Sequence, residues 1–495
     1  MPLKTPIQYV ESLRALKLTA YIGATKVARP VDHPLVSPHV NAVAKIYELA
    51  HDPQHQELMT SQSHLTGKTI NRFTHMFRST DDLVKKIKMQ RLLGQVTGTC
   101  FQRCVGLDAL NTIYAMSYEM DQADGTDYHQ RFKAYLTYVQ DNDLMVAGAM
   151  TDPKGNRGKK PAQQDDPDQY VRVVERRPDG VLIRGAKMHN TGGINSHEIL
   201  VLPGTGLQAN EADYAVACAI PADAEGVIFI FGRQSNDDRK MQGSGMDIGN
   251  PRFGVVGGEA MVVFDDVFVP NERIFLNGEV DHCAKMVTYF ATWHRANYGG
   301  CKSGNADVLI GATARLARMQ GTDRNNIVKD KLIEMIHLTE TCYAGAIGAA
   351  ASGYELPCGS YMFDPMMSNT VKQNITRSVY SVGRLAHDIS GGFLATMPDE
   401  AAFASPEIGK WVTKYHVCNA GDDQLERVKL GRYIENATCT TTLVEAMHGA
   451  GSPQAQRIAM LGLSEVEKKI KLVDAVLNEK SDVPGLSIRG KKVPK

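Results

Sequence analysis

The chain has 495 residues with 55 basic and 55 acidic side chains, so its formal net charge is zero. That balance argues against nucleic acid or an anionic membrane as the main partner, and the length allows a large core in roughly two to four domains. Residues 1–12 lack the apolar core of a signal peptide, and no apolar run approaches the roughly 18 residues that cross a bilayer, so a soluble cytoplasmic protein is expected. Its nine cysteines are an odd number for a chain of this kind and are expected to be free thiols.

Residues 9–139 carry apolar side chains at three- and four-residue spacing, clearest over 40–49, 81–93 and 99–120, and read as helical. Ser79, Thr80, Asp81 and Asp82 supply capping residues ahead of the second stretch. In the third, Cys100 and Cys104 make an i, i+4 pair on one helix face. Alone, such a pair is a weak signal, because free cysteine is a common small core residue.

The pattern changes near Asp143. Residues 144–153 read as a strand running into a turn, and 170–176 and 181–187 as a hairpin through Pro178-Asp179-Gly180. Residues 198–202, 214–220, 227–232 and 260–269 continue the strand pattern, so an antiparallel barrel or sandwich is expected over 144–275. The run Met150-Thr151-Asp152-Pro153-Lys154-Gly155-Asn156-Arg157 offers a hydroxyl, a carboxylate and turned amides at a sheet edge. Such a loop can hydrogen-bond a flat heteroaromatic ring. Lys187-Met188-His189-Asn190-Thr191-Gly192 leaves the hairpin as its second half. Each run alone also reads as a polar turn. Gly204-Thr205-Gly206 matches a dinucleotide fingerprint but has no room for the helix it needs before the next strand.

Helical spacing returns over 282–295, 307–319, 328–352, 366–390 and 425–448. Here His294, Tyr298 and Cys301 fall at i, i+4 and i+7, nearly one direction at about 100° per residue. An imidazole, a phenol and a thiol on one face can bind a metal and move a proton. Gly299 and Gly300 would let a bulky group approach the backbone. Spacing alone leaves a metal site and an ordinary core face both open. The basic, Gly/Pro-containing tail 483–495 is expected to be a flexible end.

The helix–β–helix order with its two polar loops resembles the acyl-CoA dehydrogenase fold. That implies an α+β protein with an N-terminal helical domain (1–143), a middle β-domain (144–275) and a C-terminal helical bundle (276–495). A narrower set resembles the 4-hydroxybutyryl-CoA dehydratase family over nearly the whole chain. It comprises Cys100-x-x-x-Cys104, Thr151-Asp152-Pro153-Lys154-Gly155, Gly257-Gly258-Glu259, His294-Arg295-x-x-Tyr298-Gly299-Gly300-Cys301-Lys302 and the run from Met447 to Arg457. Flavin monooxygenases that hydroxylate 4-hydroxyphenylacetate share the architecture but lack the cysteine set.

The resemblance implies dehydration of 4-hydroxybutyryl-CoA to crotonyl-CoA, with vinylacetyl-CoA delta-isomerase activity, by a flavin-radical mechanism with a 4Fe-4S cluster as Lewis acid. It implies a cluster held by Cys100, Cys104, His294 and Cys301. It implies FAD against Met150, Thr151, Asp152, Lys154, Gly155, Arg157, His189, Asn190, Thr191 and Gly192. Gly391 and Gly392 would reach the flavin of a neighbouring subunit in a homotetramer. His294, Tyr298, Glu259, Glu445, Lys302 and Thr191 fall at the family's catalytic positions. Two other readings compete. An FAD-dependent monooxygenase or an acyl-CoA dehydrogenase would need flavin but no iron. A non-catalytic electron-transfer protein would carry a cluster without acyl-CoA turnover.

Overall fold

Every residue of the strand Val216–Pro221 is apolar, because both its faces are covered. Val216, Cys218 and Ile220 enter one core, and Ala217 and Ala219 enter another. This is the period-2 alternation of a strand buried on both sides. The strand belongs to a four-stranded sheet ordered Ile274–Asn277, Val216–Pro221, Glu198–Val201, Val146–Ala149. A six-stranded sheet runs Thr25–Lys26, Thr19–Ile22, Val227–Phe231, Glu259–Pro270, Gly180–Thr191, Arg172–Arg177. The two share the first core and so stack face to face. The outer face of the four-stranded sheet rests on the helices Cys104–Asp124 and Tyr128–Asp141. This computed structural model describes residues 3–242, 245–254, 257–419 and 423–477. The tail 483–495 lies outside the described residues.

Of the barrel or sandwich expected for the middle of the chain, the stacked sheets match the sandwich, and the expected antiparallel pairing needs correction. Among the described residues neither sheet closes into a barrel, and neither is wholly antiparallel. Thr19–Ile22 pairs in parallel with Val227–Phe231, and Val146–Ala149 with Glu198–Val201. Thr19–Ile22 falls in a stretch read as helical; its local partner Thr25–Lys26 is only two residues long and its other partner lies far away in sequence, so neither left a periodic signal. The hairpin through Pro178 and Asp179 does form, with Arg177 opposite Gly180. Only a short 3-10 turn, Ala209–Tyr214, separates the Gly204–Gly206 loop from the next strand. No helix among the described residues is long and apolar enough to cross a membrane.

In the C-terminal half, 282–295 and 307–319 belong to one continuous helix, Cys283–Met319. It lies against the helix Thr80–Thr97 at backbone distance. A Cβ on Gly94 would stand 2.6 Å from the Cys301 carbonyl oxygen, one on Gly300 2.7 Å from that of Ile87, and one on Gly304 2.2 Å from that of Arg91. Three glycines therefore let two helix backbones touch. Gly299 faces the helix Asn326–Ala351, where a Cβ would meet the Cys342 carbonyl oxygen at 2.8 Å. The glycine pair thus serves helix packing rather than room for a bulky group. The stretch 425–448 is two helices, Gln424–Ala437 and Thr440–His448.

Candidate active site

Gly98, with φ +63°, ends Thr80–Thr97 in a left-handed turn. The next helix does not begin until Cys104. Cys100 is therefore on a loop and Cys104 on the first turn of a helix, not on one helix face as their spacing suggested. Gln102, at φ +64°, reverses the chain between them. The helix contact through Gly94 delivers Cys301 to the same place. Burial first, then the neighbouring Cys100 and Cys301, push the Cys104 thiol well above its ordinary pKa. Burial likewise raises Cys100, with Glu445 adding to it. Cys301 rises to about 11 through burial, while Lys302 opposes the shift. Among the described residues no three His, Cys, Asp or Glu side chains converge closely enough to hold a single metal ion.

His294 stands one turn from Tyr298 on the long helix, with the rings edge to face at 5.7 Å. Its Nδ1 lies 2.8 Å from the Asp108 carboxylate. Asp108 is itself one turn beyond Cys104 on the helix Cys104–Asp124. The buried Lys86 ammonium and the Asn297 amide also donate to Asp108. An acceptor at Nδ1 puts that ring hydrogen on Nδ1 and leaves Nε2 with its lone pair. Among the described residues no hydrogen bond reaches Nε2.

The thiols adjoin a polar cluster. Lys302 pairs with Glu445, and the Tyr298 hydroxyl donates to Glu445 at 3.4 Å. Burial pulls Lys302 down, but Glu445 and the thiols outweigh it, so its pKa ends above the usual range. Tyr298 is raised well above its ordinary value, by burial and then by Glu445. Glu259 is pushed up to about 8 by burial and by Glu445, against the hydrogen bond from Thr191. The Thr191 hydroxyl lies 2.8 Å from both Glu259 oxygens. Lys372 is lowered to about 7 by burial, with Glu445 opposing. A mostly apolar cavity begins beside Lys302 and Ala446 and runs along Leu309, Ile375, Val379 and Leu443.

Thr191 also joins this cluster to the two polar loops. Lys187 Nζ reaches Asp152 Oδ1 at 2.5 Å and the carbonyls of Met150 and Leu202 at 3.1 and 2.9 Å. The Met188 amide donates to the Thr151 carbonyl at 2.7 Å. The Asn190 amide donates to the Gly148 carbonyl at 3.2 Å. The two loops therefore lie side by side. Asp152 Oδ2 and Asn190 Oδ1 are buried without a hydrogen-bond partner among the described residues. They pack against glycine backbone: a Cβ on Gly204 would stand 2.2 Å from Asp152 Oδ2, and one on Gly193 1.8 Å from Asn190 Oδ1. His189, at φ +53°, is lowered by burial, then by His448 and Lys154, which brings the end of Thr440–His448 to the loops. Gly192 makes a left-handed turn at φ +73°. Gly155 and Arg157 are exposed. Gly391 and Gly392 are exposed beyond Pro365–Ser390, with nothing within 4 Å of a Cβ at either.

Sequence reasoning missed Asp108, Lys86 and Lys372, and gave Arg295 no role beyond its place in the His294–Lys302 motif. Only Asp108 left a signal, its i+4 spacing from Cys104.

Family models for the 4-hydroxyphenylacetate 3-hydroxylase N-terminal and C-terminal regions match residues 5–276 and 283–478. The chain is 50% identical over 487 residues to a 4-hydroxybutyryl-CoA dehydratase/vinylacetyl-CoA-Delta-isomerase of Clostridium aminobutyricum, covering 96% of this chain and 99% of that one. It is 27% identical to a 4-hydroxyphenylacetate 3-monooxygenase oxygenase component of Thermus thermophilus, over 88% of each chain. Among solved structures it matches an oxygen-tolerant archaeal 4-hydroxybutyryl-CoA dehydratase from N. maritimus with a TM-score of 0.95 and 44% identity, covering 98% of this chain and 97% of that one. Two family models spanning nearly the whole chain, and a relative sharing half its residues, place this protein in the 4-hydroxyphenylacetate 3-hydroxylase family, on the branch that holds the 4-hydroxybutyryl-CoA dehydratases.

Proposed function

We propose that this protein dehydrates 4-hydroxybutyryl-CoA to crotonyl-CoA and isomerises vinylacetyl-CoA to the same product. The observation that carries the reading is the placing of Cys104 and Cys301 in one packed cluster with Cys100 on the adjoining loop, and of His294 on Asp108 one turn from Cys104. Three thiols and an imidazole fit a 4Fe-4S cluster, whose donors stand around a cube rather than converge on one point. The carboxylate on His294 Nδ1 is the partner expected of a metal-ligating histidine. The two joined loops, held side by side by Lys187 and the Met188 amide, form the edge against which FAD would lie. Met150, Thr151, Lys154, His189, Thr191 and Gly192 complete the cradle, and Gly155 and Arg157 form its outer rim.

The hydroxyl of the substrate is on C4, so the hydrogen lost with it is on C3, which no carbonyl acidifies directly. Bound in these sites, flavin and cluster supply one-electron chemistry and a Lewis-acidic iron. The protein's own groups handle protons and position. Glu259, neutral near pH 7, can donate a proton and is aimed by Thr191. Tyr298 and Lys302 orient Glu445, which is the carboxylate placed to accept one. His294 Nε2, which no hydrogen bond reaches among the described residues, is left to serve as a ligand or base. The apolar cavity beside Lys302 can exclude water from an acyl chain.

The layer order supports an acyl-CoA dehydrogenase-like arrangement of helical, β and helical domains divided near residues 143 and 275, with Thr19–Ile22 and Thr25–Lys26 of the first joining the sheet of the second. Ile327, Ile333, Ile336, Ile458, Leu461, Val473, Val476 and Leu477 expose apolar surface on the C-terminal helices. That surface supports contact with further copies of the chain, and the homotetramer, with Gly391 and Gly392 reaching a neighbour's flavin, is what the family resemblance implies. Purification without air followed by iron, sulfide and flavin counts tests the reading. About four irons and one FAD per subunit are expected. Flavin without iron would leave a monooxygenase or a simple flavin dehydrogenase.

A further inference from the structure

Two buried basic side chains grip the segment that carries Glu445. Lys372, on the helix Pro365–Ser390, is fully buried and makes no carboxylate hydrogen bond among the described residues. Its Nζ donates instead to the carbonyls of Ala446 and Met447, at 2.5 and 3.3 Å. These are among the last carbonyls of Thr440–His448, which the helix itself leaves unpaired. Arg295 Nε donates to the Ala450 carbonyl at 3.0 Å, beyond the helix end. Lys372 Nζ also sits 3.9 Å from the centre of the Tyr298 ring. The segment is pressed onto that phenol, since a Cβ on Gly449 would stand 1.8 Å from the Tyr298 hydroxyl.

We propose that Lys372 is a positioning residue for the reaction: it fixes the end of Thr440–His448 against Tyr298, and so aims Glu445 at the Tyr298 hydroxyl and Lys302. Glu445 is one residue before the first carbonyl that Lys372 holds. A slack helix end would let the carboxylate swing away from both partners. The amine carries two N–H groups for two carbonyls in either protonation state, so the grip does not depend on its charge. A misplacement of about 1 Å at such a group costs roughly 100-fold in rate. The inference rests on the reading of Glu445 given above.

The test compares the parent holoenzyme with K372M, both prepared without air. In K372M, kcat for dehydration falls on the order of 100-fold while KM changes less than about threefold. Iron and flavin contents stay at the parent level. Amide hydrogen exchange over residues 445–451 speeds up in K372M and stays unchanged elsewhere in the helices. The K372M/E445Q double variant is no slower than E445Q alone within about threefold, because both changes remove one aimed carboxylate. K372Q takes the same comparison if K372M does not accumulate as folded holoenzyme. Unchanged exchange, a kcat within about threefold of the parent, or losses that multiply in the double variant would each overturn the proposal. If the parent itself makes no crotonyl-CoA, the functional reading falls, and the exchange comparison still decides whether Lys372 grips the segment.

Discussion

Asp108 accepts a hydrogen bond from His294 Nδ1 at 2.8 Å, and it does so from the helix that Cys104 begins. The two donors therefore cannot move independently. A single helical turn sets the offset between a thiol and the carboxylate that orients the imidazole. Lys86 closes the arrangement from a third helix, Thr80–Thr97, with its ammonium on Asp108 and 3.3 Å from the Trp293 carbonyl.

The first prediction concerns this pair. D108N leaves the Lys86 charge buried without its partner, a loss of about 3–5 kcal/mol for such a site. K86M/D108N removes both charges and should recover most of that stability in urea unfolding of the apoprotein. It should not recover iron. With the imidazole no longer oriented by a carboxylate, cluster affinity should stay roughly 10–100-fold below the parent in anaerobic reconstitution. Full iron loading of the double variant would show that Asp108 serves folding alone.

Helix contact at Gly94 gives the second prediction. The added methyl of G94A would meet the Cys301 carbonyl oxygen at 2.6 Å, and a backbone oxygen cannot rotate away. Overpacking of about 1–3 kcal/mol should exceed the gain of up to about 1 kcal/mol in helix propensity. Denaturant unfolding measures the net loss. Because the contact carries Cys301, the variant should also hold less iron than the parent. A more stable G94A with full iron would mean that the helices have room to spare.

Glu259 supplies a pH prediction. Its pKa rises from 4.5 to about 8, through burial first and Glu445 second. The folded protein then keeps a proton that the unfolded chain gives up. The group's contribution to stability is complete below about pH 4.5 and is lost as the pH climbs through 8. E259Q cannot ionise, so its stability curve should be flatter than the parent's across that window. Urea midpoints of the two apoproteins at pH 5, 7 and 9 check this. Parallel curves would place the Glu259 pKa near its ordinary value.

How far the sequence could take this account depended on whether the signal was local. The i, i+4, i+7 order of His294, Tyr298 and Cys301 is a property of one helix, and that helix formed unbroken. The two polar loops were visible as turns that follow strands, and the structure laid them side by side. The Cys100–Cys104 spacing misled because it matches a helix face, while Gly98 and the positive φ of Gln102 make a loop. Thr19–Ile22 was missed because its local partner Thr25–Lys26 is only two residues long and its other partner is remote. Lys86 and Lys372 were missed because a buried lysine inside a helix looks in sequence like a solvated one. Only packing shows that Lys86 answers Asp108 and that Lys372 answers two carbonyls.

The central claim is that one bound thioester is dehydrated where three thiols and His294 hold iron. Crotonyl-CoA formation from 4-hydroxybutyryl-CoA by C301A, beside the parent protein and without air, tests it most directly. C301A should lose iron and dehydration together while keeping its FAD, since Cys301 is on the helix Cys283–Met319 and belongs to neither flavin loop. C301A without iron that still forms crotonyl-CoA at the parent's rate would contradict the account.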